Sequence, residues 1–312
     1  MTNSSSVSWV YGLGAALPVG AASVLAVLAI VLLNGGPSLV TILTITAVVL
    51  MLVTALVDSL GLHVVIRVVL QALILGAAMG YLYVRGDVYA PQAAMSVAGG
   101  LVVLFVAGFA SGAADTSEAG RVPAAVALLG AVFMAFAGVR LPNEGVLLMS
   151  VIAGIAALLL IWRPLPFSGA VFGSFGWALG FYAWLANASE VTVFAPLLIP
   201  LLDVAWTLVR RLVTKASRSE LSGRGSWWTT LNAWTLPGTD MLAQRLAGKA
   251  TLRTASALVV GASALCMVIA AVGWLFLLGD KLTLIPLTLV VVGYVALVAR
   301  RLRPTPTSHP AA

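Results

Sequence analysis

The fold is decided by residues 162–215, which begin W-R-P-L-P-F-S-G-A-V-F-G-S-F-G-W-A-L-G-F and end A-P-L-L-I-P-L-L-D-V-A-W-T-L-V-R-R-L-V-T-K. Two apolar segments, 168–186 and 191–213, flank a short polar turn, and each is long enough to cross a bilayer as an α-helix. The second segment carries Asp203 in mid-span and ends at Arg210-Arg211. The stretch therefore predicts two membrane helices with a basic end.

The composition of the whole chain supports a membrane protein. Of 312 residues, 61% are hydrophobic and 9% are charged, and the mean hydropathy is +1.09. Soluble domains contain about 25% charged residues. The apolar runs are continuous rather than alternating, which favours a helical bundle over a β-barrel. The single Cys266 and the two histidines exclude disulfides and metal sites built on Cys or His.

The positions of Lys and Arg predict the topology. Fourteen of the 17 basic residues fall at one set of helix ends, so the positive-inside rule makes both termini and the loop 214–253 cytoplasmic. We expect one transmembrane domain over residues 1–303 and a disordered tail over 304–312. About ten segments have the length of a membrane span: 12–33, 38–60, 64–84, 92–111, 121–139, 144–162, 168–186, 191–213, 254–278 and 282–300.

Residues 162–215 resemble the polyprenyl-phosphate N-acetylhexosamine-1-phosphate transferases of glycosyltransferase family 4. The family pattern is P-A-x-x-F-x-G-D-S-G-S-x-x-L-G followed by P-L-x-D-x-x-x-V-x-x-R-R. The matching residues are Gly173, Gly176, Leu179, Gly180, Pro200, Asp203, Arg210 and Arg211. The resemblance implies an integral membrane fold that transfers a sugar 1-phosphate from a UDP-sugar to a lipid phosphate. The family's metal-binding aspartate falls on Ser174.

Residues 55–71, A-L-V-D-S-L-G-L-H-V-V-I-R-V-V-L-Q, are similar to the family's L-L-D-D-L-x-G-L-S-P-x-x-R-L-L-L-Q. Arg67 and Gln71 hold the register, and the paired aspartates become Val57-Asp58. A carboxylate pair at a membrane surface suits chemistry in which one group binds Mg²⁺ and the other takes a proton. The resemblance implies a catalytic role for Asp58; the structural alternative is a solvated helix end.

Residues 105–120 occupy the place of the family's N-x-x-N-x-x-D-G-x-D-G. In that register Asp115 keeps the first aspartate, Glu118 replaces the second, and the asparagines become Phe109 and Gly112. The resemblance implies that Asp115 is catalytic and that Asp115 and Glu118 hold Mg²⁺ if the protein is active. The alternative is helix capping by Asp115, with acidic residues in the first turn.

The loop 214–253 is the main polar segment. Between Arg210 and Arg253 the net charge is +6, and three tryptophans lie among the basic residues. At a bilayer this pattern favours an interfacial helix on anionic lipid over a nucleic-acid site. We predict that Arg210, Arg211 and Lys215 bind a membrane lipid, polyprenyl phosphate among them. The family's histidine-rich motif in this loop has no histidine here.

Together these features favour a degenerate, non-catalytic homologue in a bacterial cytoplasmic membrane. It would act as a partner or regulator in cell-envelope glycan assembly, through a protein partner that the sequence does not identify. One alternative is an active transferase that uses a UDP-sugar and a reorganised Mg²⁺ site at Asp58, Asp115 and Glu118. The other is a lipid or small-molecule transporter, in which Asp203 would serve as an intramembrane carboxylate.

Overall fold

The computed structural model describes residues 38–60, 62–112, 150–151, 153–155, 168–185, 190–213, 245–246, 252–276 and 280–302. Every regular element in these ranges is helical. The elements are α1 Leu39–Ser59, α2 Val64–Val84, α3 Ala90–Gly112, α4 Ser168–Leu185, α5 Glu190–Phe194, the 3-10 turn Ala195–Leu197, α6 Leu198–Val213, α7 Leu252–Leu275 and α8 Asp280–Leu302.

Five of the described helices, α1, α2, α3, α7 and α8, are long and apolar enough to cross a membrane. In the part of the chain that the structure describes, the protein is thus a helical membrane protein, as the composition predicts. The bounds of these helices agree with the predicted spans to within a few residues. The predicted segment 168–186 is also helical but, like 191–213, is not among the five. The predicted spans 12–33 and 121–139 lie outside the described residues, as does most of 144–162.

The predicted span over 191–213 is not one continuous α-helix, because the chain divides it into α5, a 3-10 turn and α6. Pro196 stands at the start of the 3-10 turn. A proline has no N–H to donate, and its ring clashes with the carbonyl four residues earlier, so it interrupts a continuous α-helix. The break separates the short α5 from the basic α6.

The turn between α1 and α2 is closed by a side chain. His63 is the N-cap of α2, and its Nδ1 accepts a hydrogen bond of 3.3 Å from the backbone N–H of Val65. At its other end α2 finishes at Arg85, and Gly86 follows with a φ of 79°. This left-handed conformation is accessible to glycine without steric cost. The short α1–α2 and α2–α3 connections make consecutive helices antiparallel.

Helix α4 is the centre of a four-helix group. It packs against α1 and α3, and α2 packs against the other side of both. Its residues Phe175, Ala178 and Leu179 are fully buried in the shared core. A Cβ atom on Gly173 would lie 2.9 Å from Cδ2 of Leu104 and 3.2 Å from its Cα, so α3 and α4 are in backbone-close contact. Such close approach is how helices associate where lipid gives no hydrophobic drive.

A second group consists of α7 and α8 with α5 and the 3-10 turn. Cys266, Ala270 and Tyr294 are buried in its core. Helix α6 connects the two groups, because Val204 packs on Val106 of α3. The chain thereby places α6 alongside α3, with the two helices running in the same direction.

The helix directions bring five helix ends to one side of the molecule, hereafter the Arg67 end. These are the C-terminal ends of α1, α3 and α6 and the N-terminal ends of α2 and α4. The α1–α2 turn joins two of them. Arg67 of α2 lies against Gly108 near the end of α3, and Gly173 of α4 lies against Ala107. The opposite side carries the α2–α3 turn.

Candidate functional site

Several predicted site residues share the Arg67 end. Asp58 is in the last turn of α1. Arg210 and Arg211 are in the last turn of α6, and both are half-buried. Asp115, Glu118 and Lys215 lie outside the described residues, as does most of the basic loop. Near the end of that loop, Leu246 is buried in the core formed by α6, α7 and α8.

Arg67 is the basic side chain whose contact defines this end. A Cβ atom on Gly108 would lie 3.2 Å from Nη1 and 3.3 Å from Nη2 of Arg67. The guanidinium therefore lies against α3 at Gly108, about one turn before the end of that helix. The sequence analysis used Arg67 only to fix the register of a motif. An arginine in the first turn of an apolar helix was the signal for a functional position.

Ser174 follows Gly173 in α4 and is not at the helix end itself. It is six residues inside α4, roughly 9 Å from the helix start. Its side chain is 0% exposed, and its Oγ has no hydrogen-bond partner. A magnesium ion requires several oxygen ligands and retains water. This dry position among packed helices does not fit such an ion, so Ser174 is a core residue rather than a ligand.

The other described residues offer no alternative centre. Within the described ranges, no three side chains of His, Cys, Asp or Glu come together as a metal site would require. The carboxylates that the resemblance assigns to Mg²⁺, Asp115 and Glu118, are outside those ranges. The arrangement of described residues is therefore one of cationic groups at a membrane-helix end, which suits binding an anion.

Asp203, the candidate intramembrane carboxylate, is 6% exposed in α6. The Thr207 hydroxyl donates a hydrogen bond of 2.8 Å to the Asp203 backbone carbonyl. Tyr294 of α8 carries a hydroxyl and lies in the same core as Ile199 of α6. That hydroxyl is buried and has no hydrogen-bond partner. Tyr294 was not a candidate from the sequence, because only the packing brings α8 to α6.

An apolar pocket lies between α3, α4 and the α5–3-10 segment. Glycines and aromatic residues form its walls: Gly99, Gly100, Gly176, Gly180, Trp177 and Phe194. The Trp177 indole N–H donates to the backbone carbonyl and to the hydroxyl of Ser96, both at 3.3 Å. The ring of Phe181 stacks on that of Trp177 at 6.1 Å between centroids. No motif in the sequence indicated this pocket, because residues of different helices form it.

No protein-family model matches the chain, and no curated protein or solved structure matches it either. The resemblance to the transferases therefore remains a prediction. It rests on the quoted motifs, their order along the chain and their placement at helix ends.

Proposed function

We propose that this protein binds a polyprenyl phosphate at the Arg67 end and is a non-catalytic relative of the sugar-1-phosphate transferases. It would serve as a partner or regulator in envelope glycan assembly in a bacterial cytoplasmic membrane. One observation carries the proposal: Arg67, Arg210 and Arg211 share one end of the bundle, whereas Ser174, at the family's metal position, is a dry core residue.

The cationic end suits a lipid phosphate for a simple reason. A guanidinium can donate two parallel hydrogen bonds to phosphate oxygens, which an ammonium cannot. Each basic residue near an anionic surface contributes about 1 kcal/mol. Arg210 and Arg211 lie in the last turn of α6, and Lys215 follows them in the sequence. These groups would hold the phosphate while the chain of the lipid stays in hydrocarbon.

The proposal of a non-catalytic protein follows from the chemistry of the transfer. Moving a sugar phosphate between a diphosphate and a lipid phosphate requires Mg²⁺ to offset the charge. Ser174 is neutral and buried, and Asp58 is the remaining half of a carboxylate pair. In the alternative, an active enzyme, Asp58, Asp115 and Glu118 would hold the metal, which would act as a Lewis acid on the phosphates.

The finer topology belongs to the same proposal. We infer about ten spans, with both termini and the Arg67 end in the cytoplasm, where a UDP-sugar or a cytoplasmic partner would arrive. The support is the position of 14 of the 17 basic residues at one set of helix ends. Arg85 is one of the three exceptions, and it lies in the α2–α3 turn on the opposite side.

The binding test compares two lipids on purified protein by native mass spectrometry. Replacing Arg210, Arg211 and Lys215 with Gln should weaken binding of solanesyl phosphate tenfold or more, since the three charges together contribute roughly 3 kcal/mol. Binding of phosphatidylglycerol should fall less. Arg85→Gln, at the opposite end, is the control and should change neither. Equal losses for both lipids would mean that the basic residues only anchor the protein.

The catalytic test is turnover. We expect no UMP release from UDP-N-acetylglucosamine or its galacto epimer with solanesyl phosphate and excess Mg²⁺. Sustained release that Asp115→Asn abolishes would establish the active enzyme and contradict the proposal.

A transporter is a second candidate, and the burial of Asp203 favours it. An intramembrane carboxylate is usually functional and faces the bundle interior. Substrate uptake into proteoliposomes, lost in Asp203→Asn, would support this function over the lipid-phosphate site.

A further inference from the structure

The apolar pocket extends from near the α2–α3 turn to the middle of the bundle. Leu197, which lines it, immediately precedes α6, and Arg210 is 13 residues further along, roughly 20 Å. Half of a bilayer's hydrocarbon is roughly 15 Å thick. On the other side, Met95 at the pocket is five residues from the start of α3, roughly 8 Å. Val103, the lining residue furthest along α3, is 13 residues from the start of that helix, roughly 20 Å, so the pocket begins in the leaflet next to the α2–α3 turn and reaches the middle of the bilayer.

The pocket offers a ligand little besides apolar surface. Among the described lining residues, the side chain of Ser96 carries a hydroxyl, and the Trp177 indole already donates to it. A charged or strongly polar group would lose its hydration there without gaining partners. The glycines of α3 and α4 and the ring of Phe194 form walls that a hydrocarbon chain fits.

The pocket is continuous with the bilayer-facing surface of α3. Met95 is 51% exposed and lines the pocket. Val102 is 43% exposed and lies seven residues later, on the same face of the helix. Val103, the next residue, is 7% exposed and lines the pocket. A lipid chain lying along α3 therefore reaches the pocket sideways from the membrane.

We propose that the pocket holds one acyl chain of a phospholipid from the leaflet at the α2–α3 turn. This lipid fills the gap between α3, α4 and α5 and is distinct from the polyprenyl phosphate at the Arg67 end. Its headgroup would lie near Tyr81, Tyr83 and Tyr89, which are all exposed, as aromatic residues at a membrane interface are.

The headgroup of this lipid should not be selected by charge. Arg85, the basic residue of that turn, is paired with Asp87 through an Nε–Oδ2 distance of 3.0 Å and lies 5.8 Å from the centre of the Tyr81 ring. Retention should therefore depend on the acyl chain, and lipids with neutral and anionic headgroups should bind alike.

The experiment uses the full chain and a matched pair of substitutions. Val103→Phe fills the pocket, whereas Val102→Phe adds the same atoms to the adjacent bilayer-facing position. Met95→Trp narrows the pocket from its exposed rim. It provides a second test of the pocket if the Val103→Phe variant does not fold. Purified variants are loaded with dioleoyl phosphatidylglycerol or dioleoyl phosphatidylethanolamine, and bound lipid is counted by native mass spectrometry after detergent exchange.

We expect Val103→Phe and Met95→Trp to lower retention of both phospholipids about fivefold, since packing against the pocket is what holds the chain. Val102→Phe should retain them as the wild type does, and all variants should bind solanesyl phosphate normally. Loss of solanesyl phosphate instead of phospholipid would assign the pocket to a prenyl chain and overturn the inference. Wild-type retention of the anionic lipid alone, or retention unchanged in every variant, would also overturn it.

Discussion

Gly100 of α3 is the position where one added methyl group should reveal most about the packing. A Cβ atom there would lie 2.8 Å from Cδ1 and 2.9 Å from Nε1 of Trp177, and 2.9 Å from Cδ1 of Leu75. Real Cβ contacts are almost never this short. The large Trp177 ring is fixed by its hydrogen bonds to Ser96 and by stacking on Phe181. In Gly100→Ala the ring must therefore move.

The size of the effect can be worked from these contacts. Overpacking a core usually costs about 1–3 kcal/mol, and a displaced indole that loses its hydrogen bonds to Ser96 costs about 0.5–1.5 kcal/mol more. Alanine is the better helix former, which returns about 0.5–1 kcal/mol. The free energy of unfolding should fall by about 1–3.5 kcal/mol in total.

The matched control is Gly76→Ala on α2, where a Cβ atom would meet nothing within 4 Å. It should leave the free energy of unfolding unchanged or raise it by up to about 1 kcal/mol. Reversible unfolding in mixed detergent and SDS micelles, followed by tryptophan fluorescence, measures both variants on one scale. If Gly100→Ala unfolds with the wild type, or if Gly76→Ala loses as much as Gly100→Ala, the reasoning from close packing is refuted.

Two further predictions concern topology and a buried polar contact. In a Cys266→Ala background, Ser117→Cys and Ser217→Cys should be shielded in intact cells from a membrane-impermeant thiol reagent, and Asn187→Cys should be labelled; labelling of Ser217→Cys from outside would reverse the orientation. The Gln71 amide donates a 3.0 Å hydrogen bond to the Thr54 hydroxyl between α2 and α1, and both side chains are buried. Gln71→Met and Thr54→Val should each lower the free energy of unfolding by about 0.6–1.7 kcal/mol, and the double variant should lose no more than either alone; additive losses would show that the two side chains do not interact.

Hydropathy alone predicted the helices well. The apolar runs 38–60, 64–84 and 92–111 contain α1, α2 and nearly all of α3, because a segment without water partners must satisfy its backbone groups internally. Hydropathy did not predict the interruption of the helix at Pro196. This proline lies within 191–213, and the sequence is hydrophobic on both sides of the interruption. An aligned motif likewise does not indicate how deeply a helix is packed, and at Ser174 only the structure shows a side chain that is 0% exposed.

The contacts that give the site its shape could not be predicted from one sequence. Arg67 and Gly108 are on different helices, and so are Trp177 and Ser96. Their meeting depends on which helices are neighbours, and in lipid a hydrophobic pattern does not choose neighbours. Charge placement predicted which helix ends share a side, and the fold agrees for α1, α2, α3, α4 and α6, but it did not predict which side chains touch.

The positions of small residues determine which helices pack against each other in this protein. The glycines fall into two groups, according to whether a neighbouring helix lies within contact distance. Gly100, Gly173 and Gly273 each sit where a methyl group would collide with the next helix; for Gly273 the collision is with the Thr283 hydroxyl of α8. Gly76 and Gly80 on α2 meet nothing within 4 Å. The amino-acid composition does not distinguish these two kinds of glycine. The glycines in close contact allow the backbones of α3 and α4, and of α7 and α8, to approach each other, and so they stabilise these helix pairs. Because α4 takes part in the close contacts at Gly100 and Gly173, the central position of α4 follows from these contacts rather than from its hydropathy.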